Sequence, residues 1–261
     1  MLSYGAHCDI SGSGTPLLVI HDILGPELDY STFPAVFNKH FHLYQITLPG
    51  YSKEDSVFKA TPGKYAQWLQ DLVNKFQLKN YHCLGLGMGG GIALQLATMD
   101  SVNMQKLVVL HPWQIYRPCH VPTYIYFKQV FQMQLKRRSV FSQWMNRFSK
   151  AFHPSVQPSA EFIDLMGRII TNPARQKQIQ ALLPTMILKN KSMRQNLHCI
   201  QKPVKIIWGT YDPWITKKAG EYLESQLQTV ENSVIPDCGY WCLVEKPENV
   251  SQRIIQFLQA S

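Results

Sequence analysis

The chain is poor in acids and has no cysteine motif. Its 261 residues carry 17 Asp and Glu against 26 Lys and Arg, a formal net charge of +9. Between Asp100 and Glu161 there is no acidic residue. The six cysteines are scattered, and the one close pair, Cys238 and Cys242, has no second CxxC or histidine pair to complete a zinc site. Reduced thiols and no metal are the expectation. The opening MLSYGAHCDISGSG lacks the basic start, apolar run and small-residue cleavage site of a secretory signal, so a cytoplasmic chain is expected. The longest uncharged run, Tyr81–Met99, is nearly long enough to span a bilayer. Gly85, Gly87, Gly89, Gly90 and Gly91 interrupt it, so it reads as a buried strand, a turn and a helix.

With 45% hydrophobic and 11% aromatic residues the chain can bury a large core, which excludes a mainly disordered protein. Short β-rich apolar runs alternate with amphipathic stretches. Strands are predicted at Leu17–Ile20, Phe41–Ile46, Tyr81–Leu86, Leu107–Leu110, Val204–Trp208 and Ser233–Ile235. Tyr65, Leu69, Leu72, Val73 and Phe76 recur at helical spacing, as do Val250, Ile254, Phe257 and Leu258. This is the pattern of an α/β protein with a mostly parallel, doubly wound sheet. Strand signals stop from Trp113 to Ile200, where Phe127, Val130, Phe131 and Leu135, then Phe141, Trp144, Met145, Phe148 and Phe152, form helical stripes. Residues 1–112 and 201–261 are therefore expected to form one core and residues 113–200 an inserted helical cap.

The segment HCLGLGMGGGIALQLA puts a strand, a glycine-rich turn and a helix in succession. Gly85, Gly87 and Gly90 match the dinucleotide fingerprint G-x-G-x-x-G. That fold wants a carboxylate at the tip of the next strand, where this chain has His111-Pro112. The same residues match the nucleophile elbow G-x-S-x-G with glycine in place of serine. Around them, GSGTPLLVIHDILG and FHLYQITLPGYS, then WGTYDPW and VIPDCGYWCLVEKPENV, resemble in order the motifs of the α/β-hydrolase fold over nearly the whole chain.

The resemblance implies a capped α/β-hydrolase with a degenerate triad. Gly87 stands at the nucleophile position, Asp212 at the retained acid position, and Tyr240 at the histidine position. Glycine has nothing to attack with, and a phenol with an ordinary pKa near 10 is a poor base at neutrality. In the oxyanion loop His21 is followed by Asp22 rather than glycine, and a carboxylate there opposes a developing oxyanion unless it points away or is protonated. The expected pocket is ringed by His21, Asp22, Met88 and His111, with His111 as the spare base at a strand end, and a hydrogen bond between Tyr240 and Asp212 is one way to hold the loop. Cys83, Cys238 and Cys242 read as buried hydrophobes rather than substitute nucleophiles.

Counted by region, residues 113–200 hold thirteen basic residues and two acids, a net +11, while the remainder is −2. Lys136, Arg137 and Arg138 form the densest basic patch. An anionic membrane surface or an acidic protein would fit that cap, as would a plainly solvated face; nucleic acid is least favoured, since no binding module is present. Two functional readings stay open. One is a pseudo-hydrolase without a cofactor, serving as an interaction module or binding a small apolar or acyl-type ligand. The other is a family enzyme, esterase, thioesterase or lyase-like, with a serine-free site using Asp212, His111 or Tyr240.

Overall fold

The computed structural model describes residues 7–31, 33, 35–52, 57–100, 102–113, 148–188, 191–214 and 217–260. Seven strands form one sheet: β1 His7–Gly12, β2 Thr15–Ile20, β3 Phe41–Thr47, β4 Tyr81–Leu86, β5 Met104–Leu110, β6 Val204–Gly209 and β7 Val230–Ile235. Their order across the sheet is β1-β3-β2-β4-β5-β6-β7, with β1 antiparallel to β3 and the remaining pairs parallel. The six predicted strands are all present. The seventh, β1, is an edge strand of sequence HCDISG, mostly exposed, whose polar face carries no apolar signal.

The central strands β2, β4, β5 and β6 read as largely apolar runs because both of their faces are covered. Successive residues alternate between them. Leu18, Ile20 and Cys83 pack in the cluster containing Tyr65, Leu69 and Ile92. Leu17, Val19 and Leu84 pack in the cluster containing Val250, Ile254 and Leu258. The helices that do the covering are α1 Pro26–Ser31, α2 Pro62–Lys75 and α3 Met88–Ala97, and α7 Lys217–Gln226, α8 Cys242–Glu245 and α9 Pro247–Gln259 beyond the insertion. Helix α2 starts where Thr61 accepts a hydrogen bond from Lys64 N and Pro62 takes the first turn, a stop-start signal of the ordinary kind.

Between β5 and β6 the described residues form helices and turns: α4 Ala160–Thr171, α5 Pro173–Leu188 and α6 Lys191–Asn196. Helix α4 is capped by Ser159, which accepts from Phe162 N at 3.1 Å. The first aromatic stripe, most of the second, and the patch Lys136, Arg137 and Arg138 lie outside the described residues. Among the described residues no helix is long and apolar enough to cross a membrane. Tyr81–Met99 forms β4, a turn and α3, as its glycines imply.

Candidate active site

The carboxyl ends of β2, β4, β5 and β6 converge at one end of the sheet, where parallel sheets place their ligands, and α5 faces them, Ile179 and Leu183 lining a cavity with Asp22 and Tyr240. Strand β4 turns into α3 through Gly87, at φ +50° and ψ −112°, a conformation that strains any other residue. Two flanking glycines bring the helix against the sheet. A Cβ on Gly85 would lie 2.5 Å from Gly89 O, and one on Gly89 would lie 2.3 Å from Ile20 O. The glycine spacing thus serves a tight elbow and close packing, without any need for a pyrophosphate.

The space a serine side chain would use is filled. A Cβ on Gly87 would sit 2.1 Å from Asp22 Cγ and Oδ1 and 2.3 Å from the Tyr240 hydroxyl. Asp22 therefore points into the elbow. Its Oδ1 accepts from Ile23 N at 2.7 Å and from Met88 N at 2.6 Å. Those two N–H groups, one from the loop after β2 and one following the nucleophile position, are where this elbow geometry puts its oxyanion donors. Asp22 Oδ2 accepts from the Tyr240 hydroxyl at 2.5 Å, and Trp113 Nε1 donates to that same hydroxyl at 2.7 Å. One internal carboxylate thus takes the Ile23 and Met88 N–H groups, the space beside Gly87 and the Tyr240 hydroxyl together. Asp29 steadies the loop by accepting Asp22 N at 2.5 Å.

Burial raises the pKa of Asp22, and the hydrogen bonds from Met88, Tyr240 and Ile23 offset this only in part. Tyr240 is pushed well above the usual phenol value, first by burial and then by the Asp22 charge. At neutral pH it is a donor, not a base.

A histidine–acid pair is nevertheless present. His111 Nδ1 lies 2.8 Å from Asp212 Oδ2, with side chains only 4% and 0% exposed. Asp212 is held in turn by Trp214 N, 2.8 Å from Oδ1. His111 follows β5 in the left-handed region, at φ +46°, and its N–H bonds Ile207 O on the neighbouring β6. The histidine therefore reaches the acid from a different strand end than the fold's usual last loop. With a proton on Nδ1 directed at Asp212, Nε2 is left as an acceptor; it is buried and has no hydrogen-bond partner among the described residues. The Tyr240 ring lies over this imidazole, with centroids 4.7 Å apart. The hydrogen bond expected between Tyr240 and Asp212 does not form: each has taken another partner, Asp22 and His111.

His21, expected in the pocket, is a structural residue. Leu48 N donates to its Nε2 at 3.1 Å, so Nδ1 carries the proton and donates to Asp22 O at 2.7 Å. Burial lowers its pKa to about 3. Met88 contributes its main-chain N–H, and its side chain is buried in the core. Cys83 is buried in β4, and Cys238 and Cys242 are buried free thiols whose sulfurs approach to 3.2 Å. Among the described residues, a cavity of ≈ 40 Å³ touches Asp22, Gly87, His111 and Tyr240, and one of ≈ 10 Å³ lies against Trp113, Phe148, Trp214 and Trp241; at roughly 10–15 Å³ per water the first holds a few waters.

Two anchoring residues escaped the sequence reading. Arg175 of α5 reaches from the cap to Leu24 O at 3.1 Å, Tyr51 O at 3.1 Å and Glu27 Oε1 at 2.7 Å, stacking over the Tyr51 ring. It pins the loop that carries Asp22. Glu245 accepts from Gly239 N at 3.0 Å and from His153 N at 2.9 Å, fixing the loop that carries Tyr240. Among the described residues no cluster of three or more His, Cys, Asp or Glu forms a metal site.

The family model described as the alpha/beta hydrolase family matches residues 17–253. A carboxylesterase, YbfK of Bacillus subtilis, is 22% identical over 247 residues, covering 93% of this chain and 79% of that protein. A 2-hydroxy-6-oxononadienedioate/2-hydroxy-6-oxononatrienedioate hydrolase of a Pseudomonas species is 24% identical over 262 residues, 97% of this chain and 91% of that one. Among solved structures, an esterase of Exiguobacterium antarcticum superposes with a TM-score of 0.82 at 15% identity, covering 98% of this chain and 96% of that one. The crystal structure of the B. subtilis carboxylesterase gives 0.81 at 20% identity, covering 100% and 90%. Both structural likenesses speak for the fold alone.

Proposed function

The chain belongs to the alpha/beta hydrolase family, and we propose that it is a degenerate member which does not perform acyl-serine hydrolysis and serves instead as a binding or interaction module. One observation carries this reading: the Asp22 carboxylate fills the volume of the missing serine side chain and takes both oxyanion N–H groups. Acyl transfer needs an attacking hydroxyl, a base to deprotonate it and an empty hole for the developing charge. Gly87 removes the first. Tyr240 replaces the second with a donor, and Asp22 places a negative oxygen where the third should form. The net +11 of residues 113–200 would suit an acidic protein or an anionic membrane as partner. The test is a fluorophosphonate probe together with a panel of short esters. The wild-type protein is expected to remain unlabelled and inactive, and labelling would overturn the reading.

The buried His111–Asp212 pair favours a second reading, a serine-free enzyme in which His111 Nε2 is the base. It requires the Tyr240 ring to uncover Nε2. Turnover of any substrate that disappears in His111→Gln would support it.

A further inference from the structure

The oxyanion donors have outlived the nucleophile, and they are not idle. Asp22 Oδ1 receives two main-chain N–H groups at 2.7 and 2.6 Å, one of them the first N–H of the ten-residue helix α3, where the helix dipole favours an anion. Asp22 Oδ2 receives the Tyr240 O–H at 2.5 Å. Three donors converge on the two oxygens of one carboxylate, a donor set suited to charge-assisted hydrogen bonds. Trp113 Nε1 completes the arrangement. By donating to the Tyr240 oxygen at 2.7 Å it occupies a lone pair there, so the single phenolic proton is turned toward the anion. The histidine expected at position 240 would have served as an acceptor for a serine proton; tyrosine, held protonated, supplies a donor.

We infer that this hole is a carboxylate-binding site whose resident ligand is the chain's own Asp22, an autoinhibitory contact, and that it accepts a small external monocarboxylate such as acetate or formate once that side chain is withdrawn. The inference rests on the reading that the elbow is serine-free and filled. The geometry selects the ligand class. The donors divide two to one over two oxygens of a planar group, which suits a carboxylate, and the volume released by removing CH₂COO⁻ is that of acetate. A tetrahedral anion such as sulfate brings two further oxygens that have no donors and would meet the position of Gly87. In the wild-type protein the internal carboxylate binds without losing translational freedom, so millimolar acetate cannot displace it.

The experiment compares the wild-type protein, Asp22→Gly, and Asp22→Gly combined with Tyr240→Phe. The glycine variant keeps the main-chain N–H groups of Ile23 and Met88. Each protein is titrated with sodium acetate and sodium formate, with chloride and sulfate at matched ionic strength as controls, and followed by thermal unfolding and calorimetry. Expected are saturable acetate and formate binding by Asp22→Gly with a raised Tm, none by the wild type, and at least tenfold weaker binding when Tyr240 is also replaced. If Asp22→Gly fails to fold in chloride, acetate but not sulfate should restore the folded state. A folded variant indifferent to acetate, one that responds equally to chloride and sulfate, or an unfolded one that acetate does not rescue, overturns the inference. Fluorophosphonate labelling of the wild type would instead overturn the serine-free reading beneath it, so the two failures are distinguishable.

Discussion

The Tyr240 hydroxyl donates to Asp22 Oδ2 at 2.5 Å, joining residues 218 positions apart. In the proposed reading both replace other residues, a histidine and a small oxyanion-loop residue, and each replacement accounts for the other. A buried carboxylate in the hole requires a donor opposite it, and a buried phenol beside Trp113 requires an acceptor.

That pairing determines what it takes to rebuild a nucleophile. Gly87→Ser with Tyr240→His is expected to stay silent to a fluorophosphonate, because Asp22 still holds the serine's volume and both oxyanion donors. The new side chain also carries a strained elbow, about 1–3 kcal/mol, and an overpacking cost of a similar ~1–3 kcal/mol. Adding Asp22→Gly empties the hole. The triple variant is expected to label at least tenfold above the double, and equal labelling of the two would show that Asp22 is not the obstruction.

Tyr240→Phe keeps the ring and removes one oxygen. It leaves Asp22 Oδ2 and Trp113 Nε1 without the partner each has now, both in the interior. Losing a hydrogen bond to a charged group costs about 1.5–3 kcal/mol, so urea unfolding should show a loss of that size. Combined with Asp22→Asn the loss should be clearly less than the sum of the two single effects, since the two residues share one interaction. Simple additivity would argue against direct coupling.

Much of this was legible in the sequence and the rest was hidden for physical reasons. The apolar runs of β2, β4, β5 and β6 revealed those strands because both of their faces are buried, whereas β1, exposed at the edge, gave no hydrophobic pattern. Gly87, Asp22, Asp212, Tyr240 and His111 could each be singled out by position in a motif or at a strand end. Their pairing could not. The sequence offered Tyr240 to Asp212 because both occupy triad positions, but the folded chain places Asp212 beside His111 and Asp22 beside Tyr240. Direction is the missing quantity: nothing local tells whether the Asp22 side chain points away from the elbow or into it. Arg175 and Glu245 were missed for a related reason, since each acts on main-chain groups of a distant loop and matches no motif.

His21 gives the fold an acid sensitivity whose sign follows from its low pKa. In the folded chain burial holds it neutral down to about pH 3, while in the unfolded chain it takes up a proton below about 6.5. The unfolded state thus binds more protons between those values, and stability present above pH 6.5 is lost as the pH falls toward 3. The loss approaches about 1.4 kcal/mol per pH unit within that window. Urea unfolding between pH 7 and pH 5 should show this slope. His21→Asn should start less stable at pH 7 and show a shallower slope; an unchanged slope would place the sensitivity in another group.

Arg175 ties α5 to the loop that aims Asp22, so its removal should loosen that loop before it unfolds the domain. The guanidinium bonds Leu24 O, Tyr51 O and Glu27 together, and Arg175 itself is buried. Arg175→Met keeps much of the apolar stem and deletes the donors. Two carbonyls then lose their partner, while Glu27, half-exposed, turns to water. A destabilisation of about 1–3 kcal/mol is expected, most of it from the carbonyls. The sharper readout is amide hydrogen exchange. The Ile23 N–H is protected by Asp22 Oδ1 only while the loop holds its course, so exchange over residues 21–27 should accelerate at least tenfold in Arg175→Met with strands β4 and β5 unaffected. Acceleration spread evenly over the sheet would mean that Arg175 contributes to global stability alone, and that the aim of Asp22 is fixed within the core, through Asp29 and Met88, without help from the cap.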